Sequence, residues 1–143
     1  MTCALCERQK TGVGIPGGPL FADHLLFVAH FPFLKDEPAH YGHFIIETRR
    51  HITRPSEMIR EEAQALGHWT QVISHLLESK LKAEHVYIVR IGDKTPHLHF
   101  HFVPRFPGTP KEVWGPQLWL WPGGRKASEQ DMITVTQLLK SGL

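Results

Sequence analysis

The sequence predicts an α+β domain built on an antiparallel sheet, and three observations predict it. Four short β-rich segments recur: HLLFVAHF (24–31), the first half of HFIIETRRH (43–51), HVYIVRIG (85–92) and PHLHFHFVP (96–104). A single long segment between the second and third carries apolar residues at three- and four-residue steps, the period of one helix face. The order is then strand, strand, long helix, strand, strand, loop, short helix, without the strict βαβ alternation of a parallel sheet. Nothing repeats and no linker interrupts the order, so residues 1–143 read as one domain.

Each element has a local reason. Residues 1–22 form a cysteine-bearing lead-in whose GVGIPGGP stretch must be loop, because glycine and proline punctuate regular structure. LKDEPAHYG (34–42) is a turn-rich connector. Pro55 and Ser56 open the long helix, with Glu57 suited to its first turn. Ile59, Ala63, Leu66, Trp69, Ile73, Leu76 or Leu77 and Leu81 form its apolar face, and it runs to about Lys82. Gly67 inside it costs about 1 kcal/mol against alanine. Residues 104–124 hold five prolines, four glycines and three of the four tryptophans, so they read as an extended loop. SEQDMITVTQLLKS (128–141) is the short C-terminal helix, N-capped by Ser128, with Met132, Val135, Leu138 and Leu139 inward.

Charge and length exclude some classes of function. Sixteen basic against 14 acidic residues leave a net charge of +2, too small to imply a nucleic-acid or membrane surface as partner. No apolar run reaches the length of a membrane span, and MTCALCERQK has no apolar signal core. The expectation is a soluble, cytoplasmic protein. Its two cysteines, Cys3 and Cys6, form one C-x-x-C. In a reducing compartment that is a metal half-site or a redox pair more often than a structural disulfide.

Histidine is the outlier, at 11 residues, clustered in 40–51 and 97–101. In a strand, His97, His99 and His101 share one face while Leu98, Phe100 and Phe102 take the other. Such a ladder is a fixed platform of imidazoles, and a neutral imidazole is a nucleophile at neutral pH. Attack on a phosphorus ester or anhydride would leave a labile N–P linkage, with neighbouring N–H groups to hold phosphate oxygens and protonate a leaving group. Metal binding by H-x-H on a strand is the other functional reading. The plain one is an amphipathic strand with a polar side.

His97-Leu98-His99-Phe100-His101-Phe102-Val103, followed by Pro104-Arg105, resembles the signature of the histidine-triad (HIT) family. Gly42-His43-Phe44-Ile45-Ile46 and Arg49-Arg50-His51-Ile52 resemble that family's upstream segments, in the same order. The resemblance implies a HIT-like fold, a five-stranded antiparallel sheet with a long helix and a short C-terminal helix, and a homodimer. It implies a nucleotidyl hydrolase or transferase acting on nucleotide phosphoanhydrides or phosphoramidates, such as diadenosine polyphosphates or adenosine phosphoramidates. The alternative on the same fold is a non-catalytic nucleotide-binding or adaptor protein. By the same resemblance His99 is the nucleophile, His101 contacts phosphate and His43 is a further catalytic histidine. Cys3, Cys6, His51 and His97 match the ligands of a structural Zn²⁺ carried by one branch of the family.

The sequence departs from that pattern before the triad. The segment Gly92-Asp93-Lys94-Thr95-Pro96 is short, so Lys94 or Thr95 is expected to hold phosphate. Arg90 either joins them bidentately or is solvated on an edge. The tryptophans of VWGPQLWLWPGGRK (113–126) form a packing or dimer segment, or else a lid over the site.

Overall fold

The computed structural model describes residues 2–32 and 38–143. The part of the predicted connector at 34–37 lies outside them. The elements run α1 (Ala4–Thr11), β1 (Phe21–Ala22), β2 (Leu26–His30), β3 (Ala39–His40), β4 (Phe44–Thr48), α2 (Arg60–Leu81), β5 (His85–Val89), β6 (His99–Arg105), β7 (Lys126–Ala127) and α3 (Glu129–Lys140). Five strands form one antiparallel sheet in the order β1-β2-β4-β6-β5, and β3 pairs with β7 apart from it. The α+β class and the five-stranded antiparallel sheet are therefore as expected.

Alternation divides the sheet into two faces. Leu26 and Val28 of β2, Phe44 and Ile46 of β4 and Phe102 of β6 turn toward α2 and α3, where Trp69, Ile73, Leu76, Leu77, Val135 and Leu139 complete the main core. Each such side chain taken fully out of water contributes roughly 1.5–3 kcal/mol. The opposite face carries Phe27 and Ala29 under Ile15 of the N-terminal segment, then Ile45 and Glu47, and finally His101 and His99 across from those two. The helices α2 and α3 cover one face, and the second carries the histidines beside the N-terminal segment.

Several expectations are corrected. The N-terminal lead-in contains a helix, α1, whose N-cap is Cys3; its Sγ accepts from the Cys6 N–H at 3.4 Å. The long helix starts at Arg60, not at Ser56. Pro55–Glu57 is a separate 3₁₀ turn, held because the Glu57 carboxylate takes the N–H groups of Thr53 and Arg54. Met58 is then extended, and the helix begins after Ile59, whose N–H donates to Glu62 Oε1 at 2.9 Å. Ile59 and Ala63 are accordingly exposed, and the inward stripe begins at Ala65 and Leu66. In α3 Leu138 is exposed, and Thr136 is buried instead. The loop at 104–124 is not wholly extended, because Lys111–Val113 and Leu118–Leu120 form 3₁₀ turns.

One glycine is fixed by geometry. Gly42 has φ +80°, and a Cβ there would lie 2.9 Å from Leu81 Cδ1 and 3.1 Å from Pro104 Cγ. Only glycine meets both conditions, and the turn it makes sets where His43 sits just before β4.

Candidate active site and metal centre

The triad strand begins at His99, two residues later than the ladder predicts. His99 and His101 share the open face, with ring centroids 5.0 Å apart. His97 precedes the strand and turns away to the cysteines, so the three imidazoles divide two and one.

His99 Nδ1 lies 2.6 Å from the carbonyl oxygen of His97. A carbonyl only accepts, so Nδ1 carries the proton and Nε2 keeps its lone pair. That Nε2 makes no hydrogen bond among the described residues. Burial holds His99 below the ordinary histidine range, and the charges of Arg8 and Arg90 push the same way. The ring is neutral at neutral pH.

Behind it, His101 Nδ1 and His43 Nε2 share a hydrogen bond of 2.9 Å. Burial, then His99, push His101 down to about 4. His43 is fully buried and lies well below its usual value, through burial first and His101 second. Two aromatic rings close this pair. Phe31 stacks on His43 at 4.5 Å, and Trp119 stacks on His101 at 5.0 Å and tilts against His43 at 5.1 Å.

The metal residues converge. The ligand atoms of Cys3, Cys6, His51 and His97 all lie within 4.8 Å of one another. Cys3 Sγ and Cys6 Sγ are 3.4 and 3.5 Å from His97 Nδ1, and Cys6 Sγ is 3.5 Å from His51 Nδ1. Zn–S bonds of about 2.3 Å and Zn–N bonds of about 2.0 Å in a tetrahedron separate sulfur from nitrogen by roughly 3.5 Å, so the donor set fits. His97 Nε2 donates to the Thr48 carbonyl at 2.7 Å, which leaves Nδ1 as the ligand atom and orients the ring. Backbone bonds from Leu98 N to Ile52 O (2.7 Å) and from Thr48 N to Leu98 O (3.3 Å) tie the two histidine-bearing segments together. The sequence shows no helix N-terminus beside the cysteines, yet the structure has one. Even so, burial and the neighbouring Cys3 push the Cys6 thiol up. That is the opposite of a redox-active cysteine.

The expected phosphate-binding residues divide. Arg90 is exposed, donates to the Thr53 carbonyl at 2.6 Å and lies near enough to influence His99. Lys94 is exposed and Thr95 half-buried, and among the described residues neither side chain hydrogen-bonds to the histidines. Two charged residues that the sequence reading does not single out stand on the same face. Glu47, directly across from His99 in the β4–β6 register, is fully buried. It forms an ion pair with Arg8 and accepts from Gln9 Nε2 at 2.9 Å. Burial pushes Arg8 down to about 10, so it stays cationic at neutral pH. The one hint of Glu47 in the sequence is an acidic residue within an otherwise apolar strand segment. Arg8 has no such signal.

A family model described as HIT domain matches residues 26–108. Among curated proteins no match is found. Solved structures are similar along nearly the whole chain. A HIT-like protein from Bartonella henselae has a TM-score of 0.71 at 13% identity, covering 99% of this chain and 96% of its own. A histidine triad protein from Sinorhizobium meliloti has a TM-score of 0.70 at 19% identity, covering 96% and 94%. A zinc-bound histidine triad family protein from Mycobacterium smegmatis has a TM-score of 0.67 at 18% identity, covering 99% and 92%. At these identities the likeness is one of fold.

Proposed function

Because the chain belongs to the HIT domain family, we propose that it is a nucleotidyl hydrolase or transferase working through a nucleotidyl-histidine intermediate on His99. The observation that carries this reading is the 2.6 Å bond from His99 Nδ1 to the His97 carbonyl. It directs the lone pair of Nε2 outward on a neutral ring, the form a nucleophile needs.

Nε2 attacks the α-phosphorus of a nucleotide phosphoanhydride or phosphoramidate. An N–P bond forms, and the bond from phosphorus to the leaving oxygen or nitrogen breaks with its electron pair. In this reading the departing atom leaves protonated, the neutral His101 ring giving its proton as it receives another that originates in solvent. His43 is sealed behind His101 at 2.9 Å and acts through it. Water then attacks phosphorus, the N–P bond breaks toward nitrogen, and a nucleoside monophosphate leaves. On the same reading Arg90, whose charge is felt at His99, assists in binding phosphate oxygens, with Lys94 and Thr95 as further candidates.

Cys3, Cys6, His51 and His97 would hold zinc with all four positions filled, so the ion would supply fixed structure and no bond-making. It would fasten α1 to the segment that presents the His97 carbonyl to His99. Family resemblance supports the remaining parts of the reading: residues 1–143 as one domain, a homodimer and a cytoplasmic location. Among the described residues no helix is long and apolar enough to cross a membrane.

The test is incubation with adenosine phosphoramidate and diadenosine tetraphosphate, followed by intact-protein mass spectrometry. One added nucleotidyl group on the wild type, absent in His99→Ala, is expected. Wild-type protein that binds AMP but never gains that mass would defeat the enzymatic reading. The second reading, a non-catalytic nucleotide binder, would then stand, and Trp119 lying against His101 favours it.

A further inference from the structure

Beneath α1 lies a charge pair that none of these steps uses. The side chains of Arg8 and Glu47 are 12% and 0% exposed. Apart from Gln9 and His99, the residues around them on this face are apolar: Phe27 directly opposite Glu47 on β2, with Ile15, Ala29 and Ile45 nearby. Withdrawing two ions from water costs several kcal/mol each, and apolar residues of similar volume commonly stabilise such a place as well or better. Packing therefore gives no reason for charge here.

Position gives one. Glu47 faces His99 across the β4–β6 ladder, where directly opposed side chains sit about 5 Å apart. The guanidinium that Glu47 holds is thus beside the attacking ring. The carboxylate is itself steadied, with Oε1 accepting from Gln9 and Oε2 facing Arg8 Nη2. Arg8 Nε and Nη2 are both buried, and among the described residues neither makes a hydrogen bond of good geometry; Glu47 Oε2 is in the same position. Donors remain for an incoming oxyanion. Arginine suits phosphate because its planar fork offers parallel N–H groups.

We propose that Arg8, held by Glu47, is the principal phosphate-binding residue of the site and grips the α-phosphate oxygens while His99 attacks. The inference rests on the nucleotidyl reading above. It assigns to α1 a task that the short segment at 92–96 is poorly furnished to do. It also gives the cysteine cluster a chemical consequence, because Arg8 follows Cys6 by two residues on the same helix.

The experiment compares wild type, Arg8→Lys and the paired variant Arg8→Gln with Glu47→Gln. The paired change leaves no lone buried charge. Affinities for AMP and for adenosine are measured by titration calorimetry, with metal content as a check on the cluster. Loss of a charge-assisted contact is worth roughly a 10- to 100-fold change. The preference for AMP over adenosine should fall by that factor in the paired variant, with adenosine binding unchanged, and Arg8→Lys should lie between. A merely structural role would weaken both ligands together. An unaltered AMP-to-adenosine ratio in the paired variant or in Arg8→Lys would overturn the proposal while leaving His99 adduct formation intact. Wild-type protein that neither prefers AMP nor forms the adduct would bring down the nucleotidyl reading and this inference together.

Discussion

Replacing His30 with glutamine should flatten the acid limb of the stability curve. His30 closes β2 and is 2% exposed. Its Nδ1 donates to the Phe31 carbonyl at 3.1 Å, and its Nε2 accepts from the Gly42 N–H at 3.1 Å. Both ring nitrogens are satisfied only while the ring is neutral. A second proton would set a donor against a donor and bury a charge. Burial, with His40 adding to it, pushes the group down to about 4, against about 6.5 in the unfolded chain. Between those values the unfolded chain binds more protons than the folded one, so stability rises with pH. The contribution is fully present above about pH 6.5 and is lost as pH falls toward 4. At 1.36 kcal/mol per unit, that is roughly 3 kcal/mol, a large part of the 5–15 kcal/mol typical of a domain. Urea unfolding of wild type and His30→Gln at several pH values from 4 to 7.5 measures it. The variant should be weaker at pH 7.5 by about 1 kcal/mol, for the hydrogen bond a single amide cannot replace. The wild-type advantage should then vanish and reverse on acidification. Comparison within the pair cancels His101 and the cysteine cluster, which titrate in both proteins. A difference between the two that stays constant across the window would refute the argument.

Two other outcomes follow from the same geometry. Cys6→Ser should remove one metal ion per chain by elemental analysis and lower Tm by several degrees, since each 1 kcal/mol moves Tm by about 2–8 °C for domains of this size; deuterium uptake should rise first in α1. His43→Gln should slow substrates with poor leaving groups at least tenfold more than activated ones, because proton delivery matters only where the departing group is basic; an equal loss on both, measured as kcat, would remove His43 from the proton path.

The four longer strands and the helices α2 and α3 were legible because their signals are local, whereas the two-residue strands β1, β3 and β7 are too short to leave one. Alternation in 97–103, the apolar run Phe44–Ile46 and the helical period through Trp69, Ile73 and Leu77 each name a buried face without reference to the rest of the chain. The N-terminal helix was not legible. Its eight residues have no apolar stripe, and its cap is a cysteine sulfur. What places it is tertiary: the cysteine cluster at one end and the Arg8–Glu47 pair on its underside. The start of α2 misled for a different reason. Pro55 and Ser56 are good helix openers, but Glu57 satisfies the backbone of residues 53 and 54 so well that a separate turn forms there. Within the site, the histidines and cysteines were readable as types, and the geometry brings Cys3, Cys6, His51 and His97 together and joins His43 to His101. Arg8, Glu47 and the particular tryptophan that covers His101 were not readable, since each acquires its meaning only from strands far away in the chain.

Seven histidines, His30, His40, His43, His51, His97, His99 and His101, lie in this one region of the molecule, and burial lowers the proton affinity of most of them. The lowering differs from ring to ring, reaching about 4 for His30 and His101 and going well below the ordinary value for His43, so acidification reaches framework and chemistry in overlapping steps. A rate profile that collapses below neutrality in this protein would be a composite curve, and its midpoint would belong to no single ring until folding had been followed alongside turnover.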